Sequence, residues 1–232
     1  MKMIELIYKG NFDKSDVDMF FEMIKGARGL RSKIQYCDIY AINLLREKKY
    51  EYAIKVMSFA KEINTDQEHD LGRYYWVLGE IEEDFYKNYD KALEYYALWE
   101  QSCPNSHGYN FAILVCLIKK HKYAYNDSIE SVFHKVLEEE SQFQFSRKYR
   151  FYKSLSLAII SSRQINLQTV KMYLSECNEI INERGESILQ TLLKRHRIKD
   201  DLDYKVVKDD LKLAIKALLK KNDGSGEINE KI

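Results

Sequence analysis

One proline, Pro104, and nine glycines punctuate 232 residues. That scarcity of breakers constrains the fold more than any other feature of the chain. An all-β protein needs Gly and Pro for its many tight turns, and too few are present. Helices need such residues only near their ends. Apolar residues make up 45%, enough to exclude wholesale disorder and to fill a core in a chain of this length. The expected class is all-α.

Helical periodicity supports that class. Val17, Phe20, Phe21 and Ile24 recur at i, i+3, i+4 and i+7, after Asp13 or Ser15 as N-cap and before Gly26 or Gly29 as stop. Ile54, Met57 and Ala60 continue the period after the turn REKKY, and Tyr149 to Ser161 forms a strongly apolar helix. Two more helical segments are expected at about 186–197 and about 202–220. In the last, Tyr204, Val207, Leu211, Ala214 and Leu218 make one apolar stripe. Polar connections fall at 64–70, 102–108 and 138–145, and the tail 222–232 lacks apolar mass and is expected to be disordered.

The helices recur in pairs. From Tyr75 to Pro104 the chain carries Leu78-Gly79, then Tyr89, Ala92 and Tyr96, and closes on the proline. Small residues on one face with large aromatics beside them describe two short antiparallel helices in close contact. Elsewhere Ala41 leads by twelve residues to Ala53, Cys116 to Ser128 and Ala158 to Val170, whereas Gly79 to Ala92 is thirteen. That one turn therefore carries an extra residue. The 10–27 stretch reads as one more second helix, with Gly10, Phe12 and Ser15 in the turn and anchor places.

This order and spacing resembles a tetratricopeptide (TPR) repeat, although the anchors at 53, 92, 128 and 170 lie farther apart than the family's period of about 34. The resemblance implies antiparallel helical hairpins stacked as a short solenoid, one domain over 1–221. Such an array needs covers at its ends, and the 204–218 stripe suits a C-terminal capping helix. The same stripe could instead pair two chains as a homodimer, though it spans too few heptads for a coiled coil.

The resemblance also implies a protein or peptide partner, held on a concave surface lined by the first helix of each pair. Carried over by position, the lining residues are Gln35, Asp38, Ile42 and Leu45, then Arg73, Trp76, Glu80 and Glu83. The third pair contributes Asn110, Ile113, Leu117 and Lys120, and the fourth Tyr152, Leu155, Ile159 and Ser162. The paired Lys and Asn by which chaperone-binding relatives hold a C-terminal carboxylate are missing. Asp38, Arg73, Trp76, Glu80, Glu83, Asn110 and Lys120 are the candidate contacts, Trp and Arg supplying much of typical interface energy. For Trp76 a core position between hairpins stays equally open. A non-enzymatic scaffold or adaptor is the leading functional expectation, and the Lys-, Ile-, Asn- and Tyr-rich usage permits a small bacterial regulator or an immunity-type inhibitor.

The alternative is a helical nucleic-acid-associated protein. In 145–153, Arg147, Lys148, Arg150 and Lys153 alternate with Tyr149, Phe151 and Tyr152, cations for phosphates and rings for bases. Against it, Tyr149, Tyr152, Ser156 and Ile159 share a helical face and so read as core. The net charge of +1, from 37 basic and 36 acidic residues, exerts no global pull on nucleic acid or an anionic membrane. The cations of 192–197 suit a helix C-terminus.

No phosphate-binding loop, nucleophile elbow or H-E-x-x-H pattern is present. Cys103 and His107 lack further ligands nearby, and the carboxylates at Glu80, Glu82, Glu83, Asp84 and at Glu138 to Glu140 read as runs facing water. No catalytic residue, metal or cofactor is expected; an enzyme would need a site assembled from distant residues. Without a signal peptide, a membrane span or paired cysteines, the expected location is cytoplasmic and the thiols reduced.

Overall fold

In the computed structural model, residues 2–64, 71–104, 108–142, 146–164, 166–182 and 204–219 are described, and no strand occurs among them. The helices are α1 (Met3–Ile7), α2 (Lys14–Gly26), α3 (Leu30–Arg46), α4 (Tyr50–Ile63), α5 (Gly72–Ile81), α6 (Tyr89–Ser102), α7 (Tyr109–Lys120), α8 (Asp127–Glu138), α9 (Arg147–Ser162), α10 (Leu167–Asn182) and α11 (Tyr204–Leu219). They group into two compact units, Met1–Tyr109 and Asn110–Ile232. The helix expected at 186–197, the cations of 192–197 and the tail 222–232 lie outside the described residues, as do His69, His107 and His196.

Unit 1 begins with a tethered N-terminal segment. Asp13 caps α2: its carboxylate accepts the Asp16 N–H, and the Asp16 carboxylate accepts the Asp13 N–H in return. Ser15, the other candidate cap, sits exposed inside the first turn. Glu47 accepts the N–H groups of Asn11 and Phe12 at 2.7 and 3.1 Å, and Asn43 donates to the Ile7 carbonyl. Both partners lie at the end of α3, so these bonds fix the α1–α2 corner to it. Phe12 meets Tyr40 edge-on at 5.1 Å, while Phe20 stacks on Tyr40 at 4.3 Å. Helices α3 and α4 form one hairpin, α5 and α6 a second, and α5 packs on both members of the first.

The corner also contains a pH-sensitive pair. Lys9 Nζ lies 2.7 Å from Asp16 Oδ1, and its hydrogen bond holds the Asp16 carboxyl below the ordinary carboxylate range despite opposing desolvation. A depressed folded-state pKa means stability that is fully present above the unfolded value and is lost as pH falls through the folded one. Between about pH 5 and about pH 2, the melting temperature of Asp16→Asn is expected to fall less than that of the wild type. Parallel melting curves for the two proteins would remove this pair from the acid response.

The second hairpin has an unusual end. Helix α5 runs into a π-helical turn, Glu82–Tyr86. A turn closed by i→i+5 bonds takes up one residue more than an α-turn. The thirteenth residue between Gly79 and Ala92 is thus absorbed inside the helix rather than in the connecting loop. The wider turn also changes phase. Glu82 and Glu83, three and four residues after the buried Gly79, are buried at 8% and 3% exposure, whereas Phe85, which an α-helix continued from Ile81 would bring inward, faces water with Tyr86. The expectation that this carboxylate run is solvated is corrected. Glu82 pairs with Lys91 at 2.5 Å, and the Tyr96 hydroxyl donates to Glu83 Oε2 at 2.9 Å. Without those partners two buried carboxylates would be prohibitively costly.

Three helix ends share one device. Lys48, Lys87 and Lys122 all adopt left-handed backbone, φ 58°, 56° and 53°, where glycine is the usual residue. The N–H of Lys49 returns to the Leu44 carbonyl and that of Tyr123 to Ile118, while Asn88 returns to Glu82, one residue farther because of the π-turn. A lysine in this position costs about 1 kcal/mol of backbone strain, partly offset by its charge at the negative end of the helix.

In unit 2, α9 and α10 form an antiparallel hairpin: Arg147, opening α9, donates to the Ile180 carbonyl near the end of α10 at 2.7 Å. Helix α8 packs on α9, and Phe111 of α7 reaches the rings of Tyr149 and Tyr152 at 5.7 and 6.1 Å. Helix α11 lies on α9 and α10 with Val207, Leu211, Ala214 and Leu218 buried; the side chain of Tyr204 falls outside what is described. The stripe is therefore covered within its own unit.

Candidate functional site

Of the residues expected to line a binding surface, Asp38, Arg73 and Trp76 come together in unit 1. Arg73 is exposed on the first turn of α5, and its guanidinium lies 4.9 Å from the centre of the Trp76 ring. Trp76, one turn on, is half-buried and packs its inner edge against the unit 1 core. The core packing left open by the sequence is thus present, and the same ring carries a cation. Stacking of this kind holds a guanidinium in place, so less freedom is lost when it meets a partner. Asp38 and Arg73 border the same shallow groove between α3, α4 and α5, with Lys61 Nζ 5.0 Å above the Tyr74 ring along its wall. The groove encloses only about 10 Å³, far below the roughly 300 Å³ at which small-ligand pockets begin. Its chemistry is that of a surface: one acid, two cations, one amide and one aromatic ring over an apolar floor of Ile34, Met57, Ala60 and Leu71.

The remaining candidates are placed differently. Glu80 is half-exposed, one turn beyond Trp76 on α5. Glu83 is corrected from contact residue to buried acceptor of the Tyr96 hydroxyl. Asn110 is likewise buried, donating to Glu139 Oε1 at 2.6 Å. Lys120 is half-exposed at the end of α7. Tyr152, Leu155 and Ile159 are buried at 0–1% exposure, Tyr152 against Phe111 of α7 and Asp210 of α11, while Ser162 is half-exposed. Three of the four residues in the fourth lining set are therefore core.

The nucleic-acid reading of 147–153 is also corrected. Tyr149, Phe151 and Tyr152 are buried and cannot stack on bases. Arg147 is buried against Ile180, and Lys153 pairs with Glu140 at 2.6 Å. Lys148 and Arg150 are half-exposed. Helical spacing in the sequence already pointed to these rings as core.

Two groups invisible in the sequence emerge. One is the buried carboxylate pair of the π-turn. The other is Asp210 on α11, 5% exposed, which accepts the Tyr123 hydroxyl at 2.5 Å on Oδ1 and the Tyr152 hydroxyl on Oδ2. Tyr123 aims inward from left-handed backbone, φ 62°, rare for a bulky residue. Both Asp210 oxygens face these hydroxyls, an arrangement that ties α11 to α9.

Among the described residues, no three of His, Cys, Asp and Glu lie together as metal ligands, and no helix is long and apolar enough to cross a membrane. The cysteines differ sharply in access. Cys37, Cys116 and Cys177 are buried and Cys103 is half-exposed. Burial, reinforced by Asp38, pushes the Cys37 thiol up to about 12, and burial raises Cys177 as well. Since thiolate is the reactive form, a thiol-disulfide reagent such as DTNB is expected to titrate about one thiol per native chain, at Cys103, and all four only after unfolding. Native modification of Cys37 on the same timescale would contradict its burial. Scans against protein-family models and searches of curated proteins and of solved structures find no match to this chain.

Proposed function

We propose that the chain is a non-enzymatic protein- or peptide-binding scaffold of TPR-like build, gripping its partner through the α3–α5 face of unit 1. The observation that carries the reading is the Arg73–Trp76 pair beside Asp38: an oriented guanidinium on a half-buried indole, bordering a groove too shallow for a small molecule. Aromatic and Arg anchors of this kind dominate binding energy where proteins meet. Supporting the TPR-like build are the α3–α4 and α5–α6 hairpins, the packing of α5 on both helices before it, and the buried small residues Ala41, Ala53, Gly79 and Ala92 at their contacts.

The test is capture from the native host with mass spectrometry, comparing wild type with Arg73→Glu and with Arg73→Ala plus Trp76→Ala. Arg73→Glu touches only an exposed side chain, so it separates lost binding from lost folding. The expected result is one or more proteins recovered by wild type and depleted by both variants. Equal recovery of every partner by all three proteins would remove this face from consideration.

A further inference from the structure

The π-turn turns two large rings outward. Phe85 and Tyr86 are 52% and 57% exposed, their rings 4.8 Å apart, and Tyr50 at the start of α4 brings its own ring to 4.8 Å from Phe85. An ordinary α-turn in the phase of Ile81 would have tucked Phe85 inward. Instead the turn is locked open by the buried contacts of Glu82 and Glu83. Lys48 and Lys49 immediately precede Tyr50 and Lys87 immediately follows Tyr86, and none of these lysines has an ion pair among the described residues. Lys48 and Lys87 hold left-handed positions where glycine would relieve strain. Strain retained beside an exposed aromatic cluster and a π-turn is the pattern of a working surface.

We infer that this turn edge of unit 1 is a docking surface for an acidic segment of a partner protein that also carries aromatic or aliphatic side chains. The rings of Tyr50, Phe85 and Tyr86 take the apolar side chains; Lys48, Lys49 and Lys87 take the carboxylates. Glu51 and Asp90 are exposed beside the same turns and would repel a continuous phosphate backbone, whereas a peptide of mixed side chains accommodates them. The surface is separate from Asp38, Arg73 and Trp76, so it does not rest on the function proposed above.

The full chain is titrated by fluorescence anisotropy with labelled peptides of alternating Glu and Phe, alternating Lys and Phe, and alternating Glu and Ser, and with oligo-uridine. The expected result is binding of the Glu–Phe peptide alone, weakening as salt rises. Phe85→Ser with Tyr86→Ser, which alters only exposed rings, should weaken it about tenfold or more. Lys48→Gly with Lys87→Gly keeps the left-handed turns while removing two charges, so it should weaken binding and flatten the salt dependence without lowering the melting temperature. The proposal is overturned if no peptide binds, if the Lys–Phe peptide binds as well, if oligo-uridine binds instead, or if the ring variant binds like wild type.

Discussion

Replacing Gly79 by alanine is expected to lower the unfolding free energy by about 1–3 kcal/mol, the usual range for forcing an extra group into a filled core. The sign is what makes the test sharp, because Gly→Ala inside a helix ordinarily gains about 1 kcal/mol. A Cβ on Gly79 would sit 2.3 Å from Cε1 of Tyr96, with two more ring atoms at 2.7 and 2.9 Å. The ring has no room to withdraw: Tyr96 is wholly buried and its hydroxyl is anchored on Glu83. Gly26, the last residue of α2, is the control, since nothing lies within 4 Å of where its Cβ would be. Urea denaturation should therefore move in opposite directions for Gly79→Ala and Gly26→Ala. Pairing Gly79→Ala with Tyr96→Leu should cost less than the sum of the two single changes, as the clash is shared. A stabilised Gly79→Ala would mean that α5 and α6 are not in the contact described.

That contact was legible in the sequence because it is local and repetitive. Small residues at Ala41, Ala53, Gly79, Ala92 and Ala158 mark where helices touch, and all five are buried. The pattern failed at Ser128, which is half-buried in the first turn of α8, donating both its N–H and its hydroxyl to the N-cap Asn126, while the neighbouring Ile129 fills the core. A hydroxyl two residues after an N-cap has a reason to face the cap, and small size alone does not reveal it. Glu82 and Glu83 were misread because a run of carboxylates usually marks a solvated face, although they stand three and four residues after the buried Gly79. The π-turn itself was hidden because periodicity assumes a constant 3.6 residues per turn. The thirteen-residue spacing was the available signal, but it fitted a longer loop equally well. For the candidate surface, the types and spacing of Arg73 and Trp76 were readable; that the indole is packed against the core while carrying the guanidinium depended on tertiary packing.

Asp210 was beyond reach of any local reading, since its partners lie 87 and 58 residues away. It also carries the largest expected effect in unit 2. Hydrogen bonds to a charged group contribute about 1.5–3 kcal/mol each, so Asp210→Leu, which loses two, is expected to destabilise by about 3–5 kcal/mol. Each of Tyr123→Phe and Tyr152→Phe should cost about half as much by the same measure. The decisive comparison places Asp210→Leu in the background of both phenylalanines. There the carboxylate has lost both hydroxyl donors, and a buried ion without donors is worse than a hydrocarbon of similar size. The substitution that harms the wild type should then help, a reversal that a merely space-filling aspartate could not produce. Urea midpoints of the four proteins measure it directly. Asp210→Leu destabilising both backgrounds equally would show that the tyrosines do not hold this carboxylate, and that the apolar stripe alone fastens α11 to α9 and α10.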